Sequence, residues 1–183
     1  MGVAMTRIGC LLAVMLTGCI VGESGMQMMM PTDKHAAATI EPTPTNTVTG
    51  TAEFTLHAGV VTMLVTIANA PPDGMHGFHI RQNPACGNNG MDAGAHWDGA
   101  MQGDATMHGL PDSPTHHMGD TGNIGIGADG TGTLQMESTM WTLGDGAITD
   151  VVNHGVIFHV NADDGTMMSA GARLGCGIIA ATD

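Results

Sequence analysis

The sequence predicts an all-β domain of about eight short antiparallel strands, arranged as a sandwich or a Greek-key barrel. Apolar and β-branched residues alternate over many short stretches, Gly- and Pro-rich turns separate them, and no stretch has the period of an amphipathic helix. The composition agrees, with 28 Gly, three Phe and no Tyr. The strand patterns cover 37–41, 47–57, 60–70, a stretch through Ile80, 123–128, 132–136, 141–143, 156–160 and 175–180, with a hairpin turn at Asp129-Gly130.

Residues 1–18 are predicted to be a bacterial lipoprotein signal peptide. Arg7 supplies a positive charge before the apolar stretch from Ile8 to Leu16, which is too short to span a bilayer stably. Leu16-Thr17-Gly18-Cys19 resembles a lipobox, in which Cys19 is lipidated after cleavage. The alternative is an ordinary secretory signal in which Cys19 is incidental. The lipobox predicts an extracytoplasmic protein of the cell envelope, held to a membrane through Cys19.

Residues 19–36 are predicted to form a flexible tether, and residues 37–183 the folded domain. The tether contains Met26-Gln27-Met28-Met29-Met30, with His35 nearby. Thioether and imidazole groups are suitable ligands for Cu(I), so metal capture is the alternative to a plain linker.

The chain is strongly acidic, with a formal net charge of −13 at pH 7. Loss of Arg7 with the signal peptide leaves three basic and 17 acidic residues, or 3 − 17 = −14. This charge argues against nucleic acids and anionic membrane surfaces as partners, because both repel an acidic protein.

Two of the four cysteines remain to be paired. Cys10 leaves with the signal peptide and Cys19 carries lipid. Cys86 and Cys176 are then one pair in an oxidising compartment, where a disulfide is the default state. The alternative is two buried thiols.

The segment 82–122 lacks periodicity and contains many Gly, Asp, Asn and His residues. A loop of this length in a compact domain is usually disordered or organised by a ligand. Within it, His96, His108, His117 and Asp120 are a suitable tetrahedral ligand set for zinc, which would hold both ends of the loop. His116 adjoins His117 and leaves the third histidine ambiguous. The alternative is that the histidines are surface residues of an acidic loop.

Five motifs occur between residues 37 and 181. They are Gly74-Met75-His76-Gly77-Phe78-His79, Gly94-Ala95-His96-Trp97-Asp98, His117-Met118-Gly119-Asp120-Thr121-Gly122-Asn123, His159-Val160-Asn161-Ala162-Asp163-Asp164 and Ala172-Arg173-Leu174-Gly175-Cys176-Gly177. In this order they resemble the copper/zinc superoxide dismutase family. The resemblance implies an eight-stranded Greek-key barrel, and superoxide as the substrate of the family reaction.

The resemblance also implies a site for two metals. It implies zinc ligation by the four loop residues named above, and a Cys86–Cys176 disulfide that ties the long loop to the barrel. Copper in this family takes four histidines, and three of the corresponding positions are His79, His96 and His159.

Two further residues have implied roles around these metals. Asp163 matches the carboxylate that links a copper ligand to a zinc ligand, here His79 to His108, and fixes their orientation. Arg173 matches the arginine that guides the anionic substrate. The alternative role for Arg173 is a clamp that hydrogen-bonds loop carbonyls.

The fourth copper position is Arg81, which cannot be a ligand because arginine stays protonated in proteins. Strand alternation places Arg81 on the same face as His79. A guanidinium about 4 Å from a dication costs on the order of 8 kcal/mol at an effective dielectric of about 20. We expect Arg81 to point into the pocket of His79, His96 and His159 and to hydrogen-bond the free nitrogen of His96.

Three functions are compatible with these residues. The sequence favours a zinc-binding envelope lipoprotein with an impaired copper site and weak or absent superoxide dismutation. The first alternative is an active dismutase that converts superoxide to O₂ and H₂O₂ with three copper histidines. The second is an extracytoplasmic copper-binding protein that uses the Met-rich tether and the remaining three copper-site histidines. Zinc is the cofactor expected first, and copper only if Arg81 moves away.

Overall fold

A computed structural model of the chain describes residues 32–99 and 108–183, which form the predicted all-β fold. Apart from a short 3-10 helix at Met91–Ala93, the regular elements of the described residues are strands. They are β1 (Lys34–Pro42), β2 (Thr49–His57), β3 (Val60–Ala68), β4 (Gly74–Arg81), β5 (Asp120–Ile126), β6 (Gly132–Ser138), β7 (Gly155–His159), β8 (Arg173–Ile178) and β9 (Ala180–Ala181). Within these two ranges, no helix has the length and apolarity needed to cross a bilayer.

The strands pair in the order β5-β4-β7-β8-β1-β2-β3-β6, with the short β9 beside β1. All pairings are antiparallel. The two halves join where Glu41 of β1 pairs with Cys176 of β8. On the opposite side, a turn carries the chain from β5 to β6, the two ends of the strand order. The result is a nearly closed barrel, in which the connections after β3 and β6 cross between the halves as in a Greek key.

Alternating residues of the strands fill the barrel interior. In β3, Val61, Met63, Val65 and Ile67 are fully buried, whereas the residues between them face outwards. Trp141, from the connection between β6 and β7, packs into the same core against Phe54, with ring centroids 6.3 Å apart.

Strand β4 is buried on both faces, which positions the candidate site. Phe78 and Ile80 belong to the barrel core. His79 and Arg81 alternate with them and therefore face the outside of the barrel, yet they are only 1% and 5% exposed. The long loops between β4 and β5 and between β7 and β8 must cover this outer face.

Two local predictions are wrong. Residues 141–143 are not a strand, because only Thr142 forms an isolated bridge, with Asp150. Trp141 and Leu143 are nevertheless buried, so their alternation reflects a loop packed on the core. Asp129-Gly130 does lie in a turn, closed by the N–H of Gly127 donating to the carbonyl of Thr131. The flanking β5 and β6 do not form a hairpin, because their ladder partners are β4 and β3.

Strand β1 begins at Lys34, three residues before the predicted start of the domain at residue 37. The reason is its partner, since pairing with β2 continues to the contact between Lys34 and Leu56. The predicted signal peptide, Cys10, Cys19 and the Met26–Met30 stretch lie outside the described residues.

Candidate metal centre

The barrel brings the ends of the long loop to β4. Asp120, the first residue of β5, pairs with His79, and His96 forms a bridge with Arg81. Gly119 also packs against β4, where its N–H donates to Trp97 and its carbonyl accepts from Ile80. A Cβ at Gly119 would lie 2.2 Å from the carbonyl oxygen of Ile80, so only glycine permits this approach.

The four residues predicted to bind zinc lie together. One potential ligand atom from each of His96, His108, His117 and Asp120 lies within 4.8 Å of the others. The Asp120 carboxylate is at the centre, hydrogen-bonded to Nδ1 of His96 and 3.1 Å from Nδ1 of both His108 and His117. Adjacent His116 is not part of this group, because its Nδ1 donates to the carbonyl of Ser113 at 2.8 Å.

Asp120 is ionised and held rigidly. The backbone N–H groups of Gly109 and His117 donate to its Oδ2 at 3.1 and 2.8 Å. Burial alone raises the pKa of Asp120, but the close contacts with the imidazoles of His108, His117 and His96 outweigh it and hold the pKa below its ordinary value. A fixed, 1%-exposed carboxylate facing three imidazoles is a suitable cation site.

His108 gives a direct test of whether this group suits a metal. Its Nε2 donates to Asp163 at 3.1 Å. Its Nδ1 lies 3.1 Å from Oδ1 of Asp120 and yet is buried without a hydrogen bond. In the neutral tautomer of His108, Nδ1 and the facing Oδ1 of Asp120 are both hydrogen-bond acceptors, so a proton or a cation is needed between them. The same two carboxylates raise the pKa of His108 to about 9, so the position favours positive charge and the residues fit a zinc ion.

Asp163 links the zinc group to the copper side as the resemblance implies. Its Oδ2 accepts from Nε2 of His79 at 2.7 Å, and its Oδ1 accepts from Nε2 of His108. Burial alone raises the pKa of Asp163, but the bonds from His108 and His79 hold it below the ordinary value. Both imidazoles therefore direct Nδ1 away from Asp163, which fixes their tautomers.

Asn123 and Ser169 support this bridge and were not identified from the sequence. Asn123 accepts from the N–H of Asp163 at 2.6 Å and donates to its carbonyl at 2.8 Å. The hydroxyl of Ser169 donates to Oδ1 at 3.1 Å. Of these two residues, only Asn123 could have been singled out in the sequence, because it ends one of the five motifs.

The three predicted copper histidines also lie together. The ring centroids of His79 and His96 are 4.2 Å apart, and those of His79 and His159 are 5.1 Å apart. Burial lowers the pKa of His79, and it lowers the pKa values of His96 and His159 to about 3 and about 2. All three imidazoles are therefore neutral at pH 7, the state in which imidazole binds a metal.

Arg81 occupies the space that these imidazoles face. Its Nη2 donates to Nε2 of His159 at 2.7 Å and lies 3.5 Å from Nδ1 of His79. The expected pocket is therefore right, but the expected partner is wrong, because Arg81 bonds His159 rather than His96. Nδ1 of His159 donates to the carbonyl of Gly171, so its Nε2 is the acceptor that meets Arg81.

The comparison with known proteins agrees with this geometry. The profile of the family described as copper/zinc superoxide dismutase matches residues 48–179. The chain belongs to the copper/zinc superoxide dismutase family. A superoxide dismutase (Cu-Zn) of Francisella tularensis subsp. holarctica (strain LVS) is 31% identical over 125 residues, which are 64% of this chain and 64% of that protein. The Brassica juncea protein named superoxide dismutase (Cu-Zn) 2 is 32% identical over 130 residues, which are 66% of this chain and 81% of that protein. The chain thus spans somewhat less than two thirds of the Francisella relative.

Arg173, at the position of the family's guiding arginine, lies in the geometry of a loop clamp. Its Nη1 and Nη2 donate to the carbonyls of Gly90 and Gly94 at 2.5 and 3.0 Å. Both glycines have a positive φ, 80° and 78°, in the loop around the 3-10 helix. Arg173 also lines a cavity of about 640 Å³ together with Arg81, His79, His96 and His159.

The disulfide between Cys86 and Cys176 is present, with a Cα–Cα distance of 5.7 Å. It joins the long loop to β8 and forms a small outer cluster with Ala93 and Ile157. A disulfide is typical of family members outside the cytoplasm, and it agrees with an extracytoplasmic location for this chain.

The remaining histidines have structural contacts that the sequence did not reveal. His76 donates to the carbonyl of His159 at 2.9 Å and stacks on Phe158. His154 donates to the carbonyls of Arg81 and Gln82, so it holds the end of β4 from outside the site. His57 lies at the surface, 2.7 Å from Asp33.

Proposed function

We propose that this member of the copper/zinc superoxide dismutase family binds zinc at His96, His108, His117 and Asp120 but has lost stable copper binding, so that it dismutates superoxide weakly or not at all. The family acts on superoxide with copper and zinc. The finer assignment to this chain depends on Arg81.

The observation that carries the proposal is the hydrogen bond between Arg81 Nη2 and His159 Nε2, at 2.7 Å. The same atom is 3.5 Å from Nδ1 of His79. These two nitrogens are lone-pair atoms directed into the site, and a copper ion would need both. A charged guanidinium in their place competes through hydrogen bonds and repels the ion.

Zinc would act on this chain as a structural ion. When bound, it would neutralise Asp120 and satisfy the bare Nδ1 of His108. The loop also holds Asp120 in place without a metal, because the backbone N–H groups of Gly109 and His117 donate to its carboxylate. Zinc binding is thus supported by groups that do not depend on Arg81.

A three-histidine dismutase is the second candidate, because His79, His96 and His159 retain a convergent arrangement. It requires Arg81 to leave its bond with His159. Arg173 would then guide the superoxide anion. We favour the copper-free protein, because Arg81 is only 5% exposed and is held in the pocket.

Metal analysis and superoxide turnover on the same purified protein, offered both metals, separate the two candidates. We expect about one zinc per chain, copper far below one, and turnover close to the uncatalysed rate. Asp120→Asn is the matched variant that should lose zinc. Stoichiometric copper together with fast turnover would refute the copper-free proposal.

The proposal includes the place of the protein in the cell. Cleavage before Cys19, lipidation of that residue and a tether that ends before β1 begins at Lys34 would anchor the barrel in the bacterial cell envelope. Mass spectrometry of the mature N-terminus tests this point, and an unmodified Cys19 in a secreted chain would contradict the lipid anchor.

A further inference from the structure

Two guanidinium groups line the cavity beside the metal centre, and neither forms an ion pair with a carboxylate among the residues that the structure describes. Arg81 and Arg173 both line this cavity of about 640 Å³. Every ion pair within the described residues is between a histidine and an aspartate, and none includes an arginine. Arg81 bonds imidazole nitrogens, and Arg173 bonds backbone carbonyls.

The two arginines are also close neighbours. Arg173 pairs across strands with His159, the residue whose Nε2 accepts from Arg81. Both groups are guanidiniums, which stay protonated at pH 7, and the charges of Asp120 and Asp163 also act on Arg81. Two like charges in a partly closed cavity repel each other, and an anion between them relieves this repulsion.

Arg81 has donor capacity left for such an anion. It is 5% exposed, and its Nε is buried without a hydrogen-bond partner. An unpaired buried donor is costly, and a guanidinium fork is well matched to the two oxygens of a carboxylate.

Besides the arginines and histidines, the cavity wall has polar side chains, among them Asn46, Asn89 and Thr166, and a part that is small or apolar. Ala95, Ala170 and Ala172 line it, and Met91 and Met167 are 56% and 49% exposed at its surface. A volume of about 640 Å³ lies in the range of small-molecule sites and is far larger than a diatomic anion requires. The part of the wall formed by the alanines and methionines therefore suits a short carbon chain attached to the anionic group.

We propose that this cavity binds a small organic carboxylate, with its carboxylate against Arg81 and Arg173 and its carbon chain along the alanines and methionines. The inference rests on the proposed function, because Arg81 must stay in the cavity instead of giving way to copper. It assigns the copper-free site a ligand class rather than a reaction.

Calorimetry with acetate, butyrate, hexanoate and inorganic phosphate, titrated into the zinc-loaded protein, tests the proposal. We expect affinity to rise from acetate to hexanoate, by up to about fourfold for each methylene that is buried. Phosphate should bind more weakly than hexanoate, because it makes no contact with the apolar wall. The affinity of every carboxylate for the cavity should fall as salt is added, because salt screens the charges of the arginines.

Arg81→Gln is expected to weaken hexanoate binding by at least about tenfold, because it removes a charged donor from the site. Lys34→Gln is the matched control, since Lys34 bonds the carbonyls of Leu143 and Gly144 and does not line the cavity. Met167→Glu should weaken hexanoate through like-charge repulsion at the rim. Zinc content and circular dichroism verify that each variant is folded.

Three results would overturn the inference: no carboxylate binding, unchanged binding in Arg81→Gln, or phosphate as the tightest ligand with no dependence on chain length. The last result would identify an inorganic oxyanion site. Copper content measured on the same samples separates the two proposals. Stoichiometric copper refutes the proposed function, whereas a copper-free protein that binds no carboxylate refutes only this inference.

Discussion

Replacing Arg81 with histidine is expected to restore copper binding to the site. The substitution removes the guanidinium whose Nη2 is bonded to Nε2 of His159 and lies 3.5 Å from Nδ1 of His79. It adds an imidazole at the same position of β4, on the face that already carries His79. The variant thus frees two ligand atoms and supplies one more.

The electrostatic gain alone is large. A guanidinium and a dication about 4 Å apart repel by about 8 kcal/mol at an effective dielectric of about 20. This energy corresponds to about six orders of magnitude in a dissociation constant. Part of it is recovered if Arg81 turns away, so we expect Arg81→His to bind copper more tightly by several orders of magnitude.

The assay is a competition between the zinc-loaded protein and a copper chelator of known affinity, followed by superoxide turnover. Arg81→Gln is the control that removes the charge and adds no imidazole, and we expect an intermediate copper affinity with low turnover. Equal copper affinities for the wild-type protein and Arg81→His would refute the reasoning. So would a folded, zinc-loaded Arg81→His variant that remains free of copper.

Three further predictions concern stability, each measured by denaturation followed with circular dichroism. Free zinc at about 100 times its dissociation constant should stabilise the protein by about 2.7 kcal/mol. Asp120→Asn should abolish this stabilisation. Asp112→Asn, a control at an exposed position of the same loop, should keep it. The double variant Cys86→Ser/Cys176→Ser should lose up to about 4 kcal/mol in the metal-free protein, since the disulfide joins residues 90 positions apart; a loss below about 1 kcal/mol would contradict this. Burial alone raises the pKa of Asp150, but four backbone N–H groups of its own loop outweigh it and keep the pKa low. Its stabilisation is therefore complete above the unfolded value of about 4 and is lost as the pH falls through the lower folded value. Asp150→Asn should accordingly cost about 1–3 kcal/mol at pH 7 and progressively less in acid, and a cost that does not depend on pH would contradict the assignment.

The sequence predicted most strands because their alternation is local. The residues of β3 reveal one buried face in the order in which they occur, and no distant contact is needed to see it. The stretch 141–143 shows the limit of this reasoning. Trp141 and Leu143 alternate as in a strand, but they are buried by a loop, and a ladder requires a partner strand that the local sequence does not contain.

The candidate site was foreseeable in part. The histidines and aspartates of the five motifs could be selected by chemistry and spacing, and the structure brings them together. The choice between His116 and His117 could not be made from spacing, since it depends on which ring the loop turns towards Asp120. The supporting bond of Ser169 to Asp163 joins two loop residues and has no signature that distinguishes it from any other serine.

By itself, the sequence determined the fold class, the two groups of candidate ligands and the presence of an arginine where a copper ligand would stand. These follow from residue types and from the period of two along a strand. Only the tertiary structure decided that Arg81 bonds His159, because that choice depends on which imidazole the paired strands bring within reach of the guanidinium. It also placed Arg173 and Arg81 in one cavity. The strands β8 and β4 lie close together because both pair with β7, and neither segment's own sequence reveals this pairing.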